Sequence, residues 1–335
     1  MKYNYLGKTS LKVSELCLGT MIFGESSGRS ADKPTSLNLI DRFIDAGGNF
    51  IDTANVYGDG ASEKIVGEAI QGRRDDLVVA TKFRFGTGDQ PNDQGLSRKY
   101  ILNAVEQSLQ RLNTDYIDLY YIHATQIRLP FEEFMGTLNQ LVQDGKIRYI
   151  GVSNFRAWEV AKANMVAKSH GWERFAAAQY QYSLVERNIE PEFSSLFAEE
   201  EISQVPWGPL GGGFLTGKYR ANQAPPEGSR IAQIEDPGLE ESWENRANRR
   251  NWEIISVVDE ISEETGYSFP QIALAWLLEQ KTVVSPIVGV RTMEQLEDNL
   301  GAVEVDLTPN QLARLNEVSE PETHYPYGFI KKYTM

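Results

Sequence analysis

The chain has 335 residues, 47 acidic against 33 basic, a formal net charge of −14 and a pI near 4.8. That balance argues against sequence-independent nucleic-acid binding, which needs many Lys and Arg facing phosphates. With 41% hydrophobic and 24% charged residues, disorder and collagen-like structure are excluded and a large core can be filled. The lone cysteine, Cys17, rules out an intrachain disulfide, and the first residues carry no apolar signal-peptide stretch. The longest strongly apolar run, Ile272–Leu278, is far short of the ~20 residues of a membrane span. A cytoplasmic protein is the expectation.

Two short strands open the chain, around Tyr3–Leu6 and Leu11–Val13. A pattern then recurs: a short apolar run, a polar or Gly-containing turn, and an amphipathic helix. The runs are Glu15–Gly19, Asn49–Asp52, Leu77–Lys82, Ile117–His123, Ile147–Ser153, Phe175–Gln179, Ile202–Trp207 and Val283–Ile287. Their Val, Ile, Leu and Tyr content suits strands buried on both faces. Helices are expected over Ser36–Ala46, Ser62–Gln71, Arg98–Leu112, Phe131–Asp144, Ala157–Ser169, Arg250–Thr265 and Glu294–Leu300. Thr308-Pro309-Asn310-Gln311 reads as a capping box with proline at the first helical position, and Thr292-Met293-Glu294-Gln295 has the same form.

Eight strands alternating with helices, without a linker-like break, predict a parallel α/β fold, with residues 1–335 as one domain. An open dinucleotide-binding sheet would want G-x-G-x-x-G after its first strand, a spacing found nowhere here. The closed eight-stranded (β/α)8 TIM barrel with a short N-terminal hairpin and long loops at its carboxyl face is therefore preferred. One polar stretch, between Tyr219 and Asn251, exceeds an ordinary connection and suggests a functional excursion; Gly86–Gly95 is a shorter case.

In a barrel, reactive groups collect where strands end. Those positions hold Asp52, Lys82, His123, Ser153, Asn154, Gln179, Trp207 and Gly289, with Tyr57 in the turn after the second barrel strand. A phenol with a pKa of ~10 is a poor proton donor at neutral pH. Lys82 beside it would lower that value, Asp52 would hold the ammonium, and His123 could orient a substrate oxygen. Taken singly, Lys82 with Asp52 reads better as a structural ion pair and Tyr57 as a loop aromatic. Together at strand ends they read as one catalytic unit.

These residues resemble the aldo-keto reductases. The resemblance is carried by Gly48-Asn49-Phe50-Ile51-Asp52-Thr53-Ala54 with Tyr57-Gly58, Ala80-Thr81-Lys82, Tyr121-Ile122-His123 and Gly151-Val152-Ser153-Asn154-Phe155. Pro209-Leu210-Gly211, Leu215-Thr216-Gly217-Lys218-Tyr219 and Gly289-Val290-Arg291 with Gln295, Asp298 and Asn299 follow in order, from Leu6 to about Val318. It implies an NADPH-dependent oxidoreductase that reduces an aldehyde or ketone, with Tyr57 as general acid and Asp52, Lys82 and His123 in support. It places Ser153, Asn154 and Gln179 on the nicotinamide carboxamide and Trp207 on the nicotinamide ring, with Thr20, Met21 and Asp52 nearby.

The same resemblance assigns Gly208, Pro209, Leu210, Gly217 and Lys218 to the pyrophosphate side, and Gly289, Arg291, Gln295, Asp298 and Asn299 to the adenosine end. Gly208 stands where serine is common, which removes one hydrogen bond. Arg291 at a helix start suits a 2′-phosphate and favours NADP over NAD. Gln295 has a competing role in the cap. His123-Ala124-Thr125-Gln126 departs from the proline and aspartate usual after the histidine, so substrate preference is not transferable.

Gly212–Lys218 also fits G-x-x-x-x-G-K, but Tyr219 replaces the Ser or Thr that holds magnesium there, so the match reads as coincidence. His170 and His324 have no partners at metal-ligand spacing, and no metal is expected. A second reading is a cofactor-binding regulatory subunit resembling ion-channel β subunits, which share Gly95-Leu96-Ser97-Arg98-Lys99 but typically lack the histidine found at His123. A glycosidase would need two facing carboxylates at strand ends, and only Asp52 qualifies. Small-molecule substrate and no obligate protein partner complete the expectation.

Overall fold

The computed structural model describes residues 1–24, 30–86, 88–226, 228–234 and 241–334. Strands β1 (Tyr3–Tyr5) and β2 (Lys12–Ser14) form the expected antiparallel hairpin. The remaining strands are β3 (Cys17–Gly19), β4 (Phe50–Asp52), β5 (Val78–Phe83), β6 (Ile117–Ile122), β7 (Ile147–Ser153), β8 (Ala177–Gln179), β9 (Ser203–Gln204) and β10 (Ile287–Gly289). They pair in parallel in the order β10-β3-β4-β5-β6-β7-β8-β9. Gln204 bridges to Val283, and the Ile287 amide donates to the Pro206 carbonyl at 2.9 Å, which joins the two ends. The fold is a (β/α)8 barrel.

Helices α1 (Lys33–Asp45), α2 (Ala61–Ala69), α3 (Arg98–Leu112), α4 (Phe131–Gln143) and α5 (Ala157–His170) follow their strands where periodicity places them. The start of α1 lies three residues earlier than expected, because Asp32 caps it by accepting from the Thr35 amide and Pro34 fits the first turn. After these come α6 (Glu190–Glu200), α7 (Trp243–Arg246), α8 (Arg249–Thr265), α9 (Phe269–Leu278), α10 (Met293–Leu300), α11 (Pro309–Val318) and α12 (Tyr327–Thr334). The apolar run Ile272–Leu278 is helical in α9, where every residue from Ile272 to Leu277 is buried. A helix covered on all sides shows no amphipathic period, so the local sign of α9 is confined to its start, the Ser268–Gln271 capping box with Pro270 in the first turn.

Alternation along the strands sorts the core. Phe50, Val78, Ala80, Leu119 and Tyr121 pack inside the barrel with Leu6 and Val13 of the hairpin region. Ile51, Val79, Phe83, Tyr120 and Ile122 instead face the helices. Continuing that two-residue period to the carboxyl ends turns Asp52, Lys82 and His123 inward together. The hairpin is tied down at the opposite end, where the Gly7 amide donates to Ser203 Oγ at 2.5 Å and the Ser14 amide to Asn49 Oδ1 at 2.7 Å.

Two expectations are corrected. The last strand lies at Ile287–Gly289 rather than Val283–Ile287, because residues 283–287 first bond toward β9 and only Ile287–Gly289 pairs with β3. Thr292-Met293-Glu294-Gln295 is half a capping box: Thr292 Oγ1 accepts from the Gln295 amide, but Gln295 Oε1 accepts from the Arg291 amide, one residue before the cap. The box at Thr308 and Gln311 is complete.

Of the 219–251 stretch, the described part is anchored rather than loose. Phe214, Tyr219, Trp243 and Trp252 form a ring cluster, with Phe214 and Trp252 centroids 4.9 Å apart and Tyr219 and Trp243 5.6 Å apart. Parts of this stretch, and of the Gly86–Gly95 turn, lie outside the described residues.

Candidate active site

A cavity of about 900 Å³ opens at the carboxyl face. At its floor Lys82 Nζ stands 2.6 Å from Asp52 Oδ2, donates to the Thr53 carbonyl at 2.9 Å and lies 3.1 Å from Tyr57 Oη. Lys82 is fully buried, so its charge depends on these partners. Burial alone would lower the ammonium, but Asp52 and Tyr57 hold it above the usual lysine value. Burial likewise raises the Asp52 carboxyl against the pull of Lys82.

The Tyr57 phenol departs from the expectation. Lys82 does pull it down, but burial outweighs that pull and leaves it above its ordinary value. The phenol therefore keeps its proton at neutral pH. His123 meets Tyr57 edge-on at 5.8 Å and Phe85 at 5.0 Å between ring centroids. Burial, then the charges of Lys82 and Arg84, push its imidazole down to about 3, so it is neutral at physiological pH. Its buried Nδ1 has no hydrogen-bond partner among the described residues.

Beside the floor, Gln179 Nε2 donates to Asp52 Oδ1 at 2.8 Å. A carboxylate only accepts, so this bond fixes the amide and leaves Gln179 Oε1 as its remaining polar atom. Ser153 Oγ donates to the Gln179 carbonyl at 2.6 Å, and Asn154 Nδ2 donates to the His123 carbonyl and to Ser153 Oγ, both at 3.0 Å. Asn154 sits at φ 54°, a left-handed conformation that Asn tolerates better than most residues.

The cavity wall continues through Met21, Trp207, Gly208, Pro209 and Leu210, past Gly217 and Lys218, to Gly289, Arg291, Gln295, Asp298 and Asn299. Two residues of the expected set lie off the wall. Lys82 is underneath it, and Thr20 is buried, its Oγ1 bonded to the Asp52 carbonyl at 2.9 Å and 2.7 Å from Ser62 Oγ. Asp298 is fixed to the neighbouring helix start by Ser268 Oγ, at 2.7 Å. The Lys218 ammonium is lowered by desolvation and then by Arg291, which brings two cations to one end of the cavity.

The structure adds Arg230, Glu241, Ser268 and Phe269 to the wall. No local signal marks Arg230 and Glu241 in the long stretch, whereas Ser268 opens α9 with a capping box that the sequence carries at Ser268–Gln271. A cavity lined by a proton-bearing phenol, a run of glycine backbone and two neighbouring cations, Lys218 and Arg291, can hold an anionic ligand. Among the described residues, no group of three or more His, Cys, Asp or Glu is arranged to hold a metal, and no helix is long and apolar enough to cross a membrane.

A (β/α)8 barrel with a buried Asp52–Lys82 pair beside half-buried Tyr57, at a cavity on the carboxyl face, defines a class, and comparison with known proteins agrees. The family model described as "Aldo/keto reductase family" matches residues 15–320, and the chain belongs to that family. It is 38% identical over 329 residues to the uncharacterized oxidoreductase YrpG of Bacillus subtilis, covering 95% of this chain and 96% of that protein. It is 37% identical to norsolorinic acid reductase stcV of Emericella nidulans, over 96% of this chain and 82% of the relative. Versiconal hemiacetal acetate reductase of Aspergillus parasiticus is 34% identical over 97% and 99% of the two chains. The protein is an oxidoreductase of this family.

Proposed function

We propose that the protein is an NADPH-dependent reductase of aldehydes or ketones, folded as one domain over residues 1–335 and working in the cytoplasm. The observation that carries the reading is the 3.1 Å approach of Lys82 Nζ to Tyr57 Oη, backed by Asp52. A phenol that stays protonated beside a fixed ammonium is a loaded proton donor. As its proton leaves for the substrate oxygen, the growing phenolate charge meets Lys82. His123, neutral and edge-on to Tyr57, has one N–H with which to hold that oxygen.

When bound, the dinucleotide supplies the hydride to the carbonyl carbon. Gln179 through Oε1, with Ser153 and Asn154, would hold the nicotinamide carboxamide, and Trp207 would flank the nicotinamide ring. Thr20 acts from beneath through the Asp52 backbone, and Met21 borders the same end. Gly208, Pro209, Leu210, Gly217 and Lys218 take the pyrophosphate side. Gly289, Arg291, Gln295, Asp298 and Asn299 take the adenosine end, with Arg291 suited to a 2′-phosphate.

Phe85 against His123 gives the substrate end an aromatic edge, and two of the relatives are named as reductases of norsolorinic acid and versiconal hemiacetal acetate. Aryl aldehydes and ketones therefore head the substrate panel. The test is loss of NADPH absorbance over that panel, with wild type and Tyr57→Phe side by side. Turnover by wild type should fall by at least ~10²-fold in Tyr57→Phe while NADPH binding persists. Near wild-type turnover in the variant removes Tyr57 from the role of acid. NADPH binding with no turnover on any carbonyl favours the regulatory-subunit reading.

A further inference from the structure

Arg230 and Glu241 face the cavity from the two sides of the 219–251 stretch, and neither belongs to the set of residues argued above. Arg230 Nη2 pairs with Glu241 Oε2 at 2.6 Å. The other carboxylate oxygen, Glu241 Oε1, is buried without a hydrogen-bond partner among the described residues. It lies against the glycine loop: a methyl group built on Gly212 would stand 3.3 Å from it, and one on Gly208 3.7 Å. Both glycines have positive φ, 64° at Gly208 and 69° at Gly212, so the backbone turns there in a way other residues resist. On the same loop, a methyl on Gly213 would come within 3.0 Å of Lys218 Nζ.

A carboxylate oxygen with no donor is costly in a buried place. Here it rests on the glycine loop that begins at Gly208 on the pyrophosphate side, with Arg230 paired to the same carboxylate and Lys218 against the same loop at Gly213. An anion at that spot is chemically equivalent to a phosphate oxygen.

We propose that Glu241 sets the affinity for the dinucleotide by competing with its pyrophosphate for the glycine loop and for Arg230. The inference rests on the proposed function, since it requires a dinucleotide in this cavity. Binding then entails exchange: Arg230 gives up the Glu241 carboxylate and takes a phosphate oxygen, while Glu241 leaves the loop. The pair holds affinity below what the site's cations would otherwise deliver, which eases release of the used cofactor.

The experiment is titration of the intact protein by tryptophan fluorescence with NADPH, NADH and 2′-AMP, which lacks a pyrophosphate, using wild type, Glu241→Gln, Arg230→Met and the double variant. Removing one like charge at close range in a partly desolvated site should tighten NADPH and NADH together, on the order of tenfold, and leave 2′-AMP unchanged. Arg230→Met should weaken both dinucleotides, and by a larger factor in the Glu241→Gln background, where no competitor holds the guanidinium. Circular dichroism melting on the same samples confirms that each variant is folded. Unchanged or weaker dinucleotide binding by folded Glu241→Gln, or equal tightening of 2′-AMP, overturns the competition and leaves the oxidoreductase reading standing. Absence of NADPH and NADH binding in every variant overturns both.

Discussion

At the scale of single residues, His123 offers two independent readouts. The folded protein holds its imidazole neutral down to about pH 3, whereas an unfolded chain protonates it near 6.5. Between those values the unfolded state binds the extra proton, so this contribution to stability is complete above about pH 6.5 and is lost as pH falls toward 3. His123→Asn should flatten that part of the stability–pH curve, followed by urea unfolding. It should also lower turnover by ~10²–10⁴-fold while leaving NADPH affinity in place. A variant that loses stability but keeps full turnover makes His123 a packing residue. Arg291 is tested by comparing cofactors. Arg291→Ala should weaken NADPH about ten- to a hundredfold and NADH far less, because a charge-assisted contact is worth roughly 1.5–3 kcal/mol. Equal losses point instead to damage at the start of α10.

At the scale of elements, the packing of α2 on α3 depends on one missing side chain. A Cβ on Gly67 would lie 2.6 Å from the Leu112 carbonyl oxygen and 2.7 Å from that of Arg111. Alanine is the better helix former by about 1 kcal/mol, so propensity alone predicts that Gly67→Ala stabilises α2. Overlap with a neighbouring backbone cannot be relieved by a rotamer change and should cost about 1–3 kcal/mol. Net destabilisation is expected, read as a lower urea midpoint at unchanged slope. A higher midpoint would show that the two helices separate freely. Side-chain ties work in the same direction: Thr81 Oγ1 donates to Glu63 Oε1 at 2.6 Å and Arg111 Nε to Glu63 Oε2 at 2.5 Å. These fix α2 and α3 to the back of β5, the strand that carries Lys82.

At the scale of the whole molecule, the cavity draws its wall from β3, β4, β7, β8 and β10 and from His123 and Trp207 just past β6 and β9, so a ligand there would tie together distant parts of the chain. A ligand that binds only the folded state at a hundred times its Kd adds about 2.7 kcal/mol. If residues 1–335 form one domain, calorimetry should show a single transition that NADPH moves upward as a unit. Two transitions, only one of them responsive to NADPH, would divide the chain. The net charge of −14 makes the local gathering of Lys218, Arg230 and Arg291 on one cavity stand out against an acidic background.

The sequence by itself determined what depends on near neighbours. Two-residue alternation in Phe50–Asp52 and Val78–Phe83 put Asp52 and Lys82 on one inner face, and the cap at Thr308 started α11 where it reads. Recurrence of strand and helix gave the barrel, and the strand-end positions named residues that the structure gathers around one cavity. Tertiary structure alone decided the rest, because it depends on groups far apart in the chain. Gln179 meets Asp52 across 127 positions, which settles the orientation of its amide. Burial, a property of the assembled barrel, outweighs Lys82 and keeps Tyr57 protonated, reversing the direction read from the Lys–Tyr pair. Thr20 turns beneath the floor instead of onto the wall because its hydroxyl is claimed by Asp52 and Ser62. Glu241 rests against Gly212 through a contact between two separate segments, a meeting that no periodicity within either encodes.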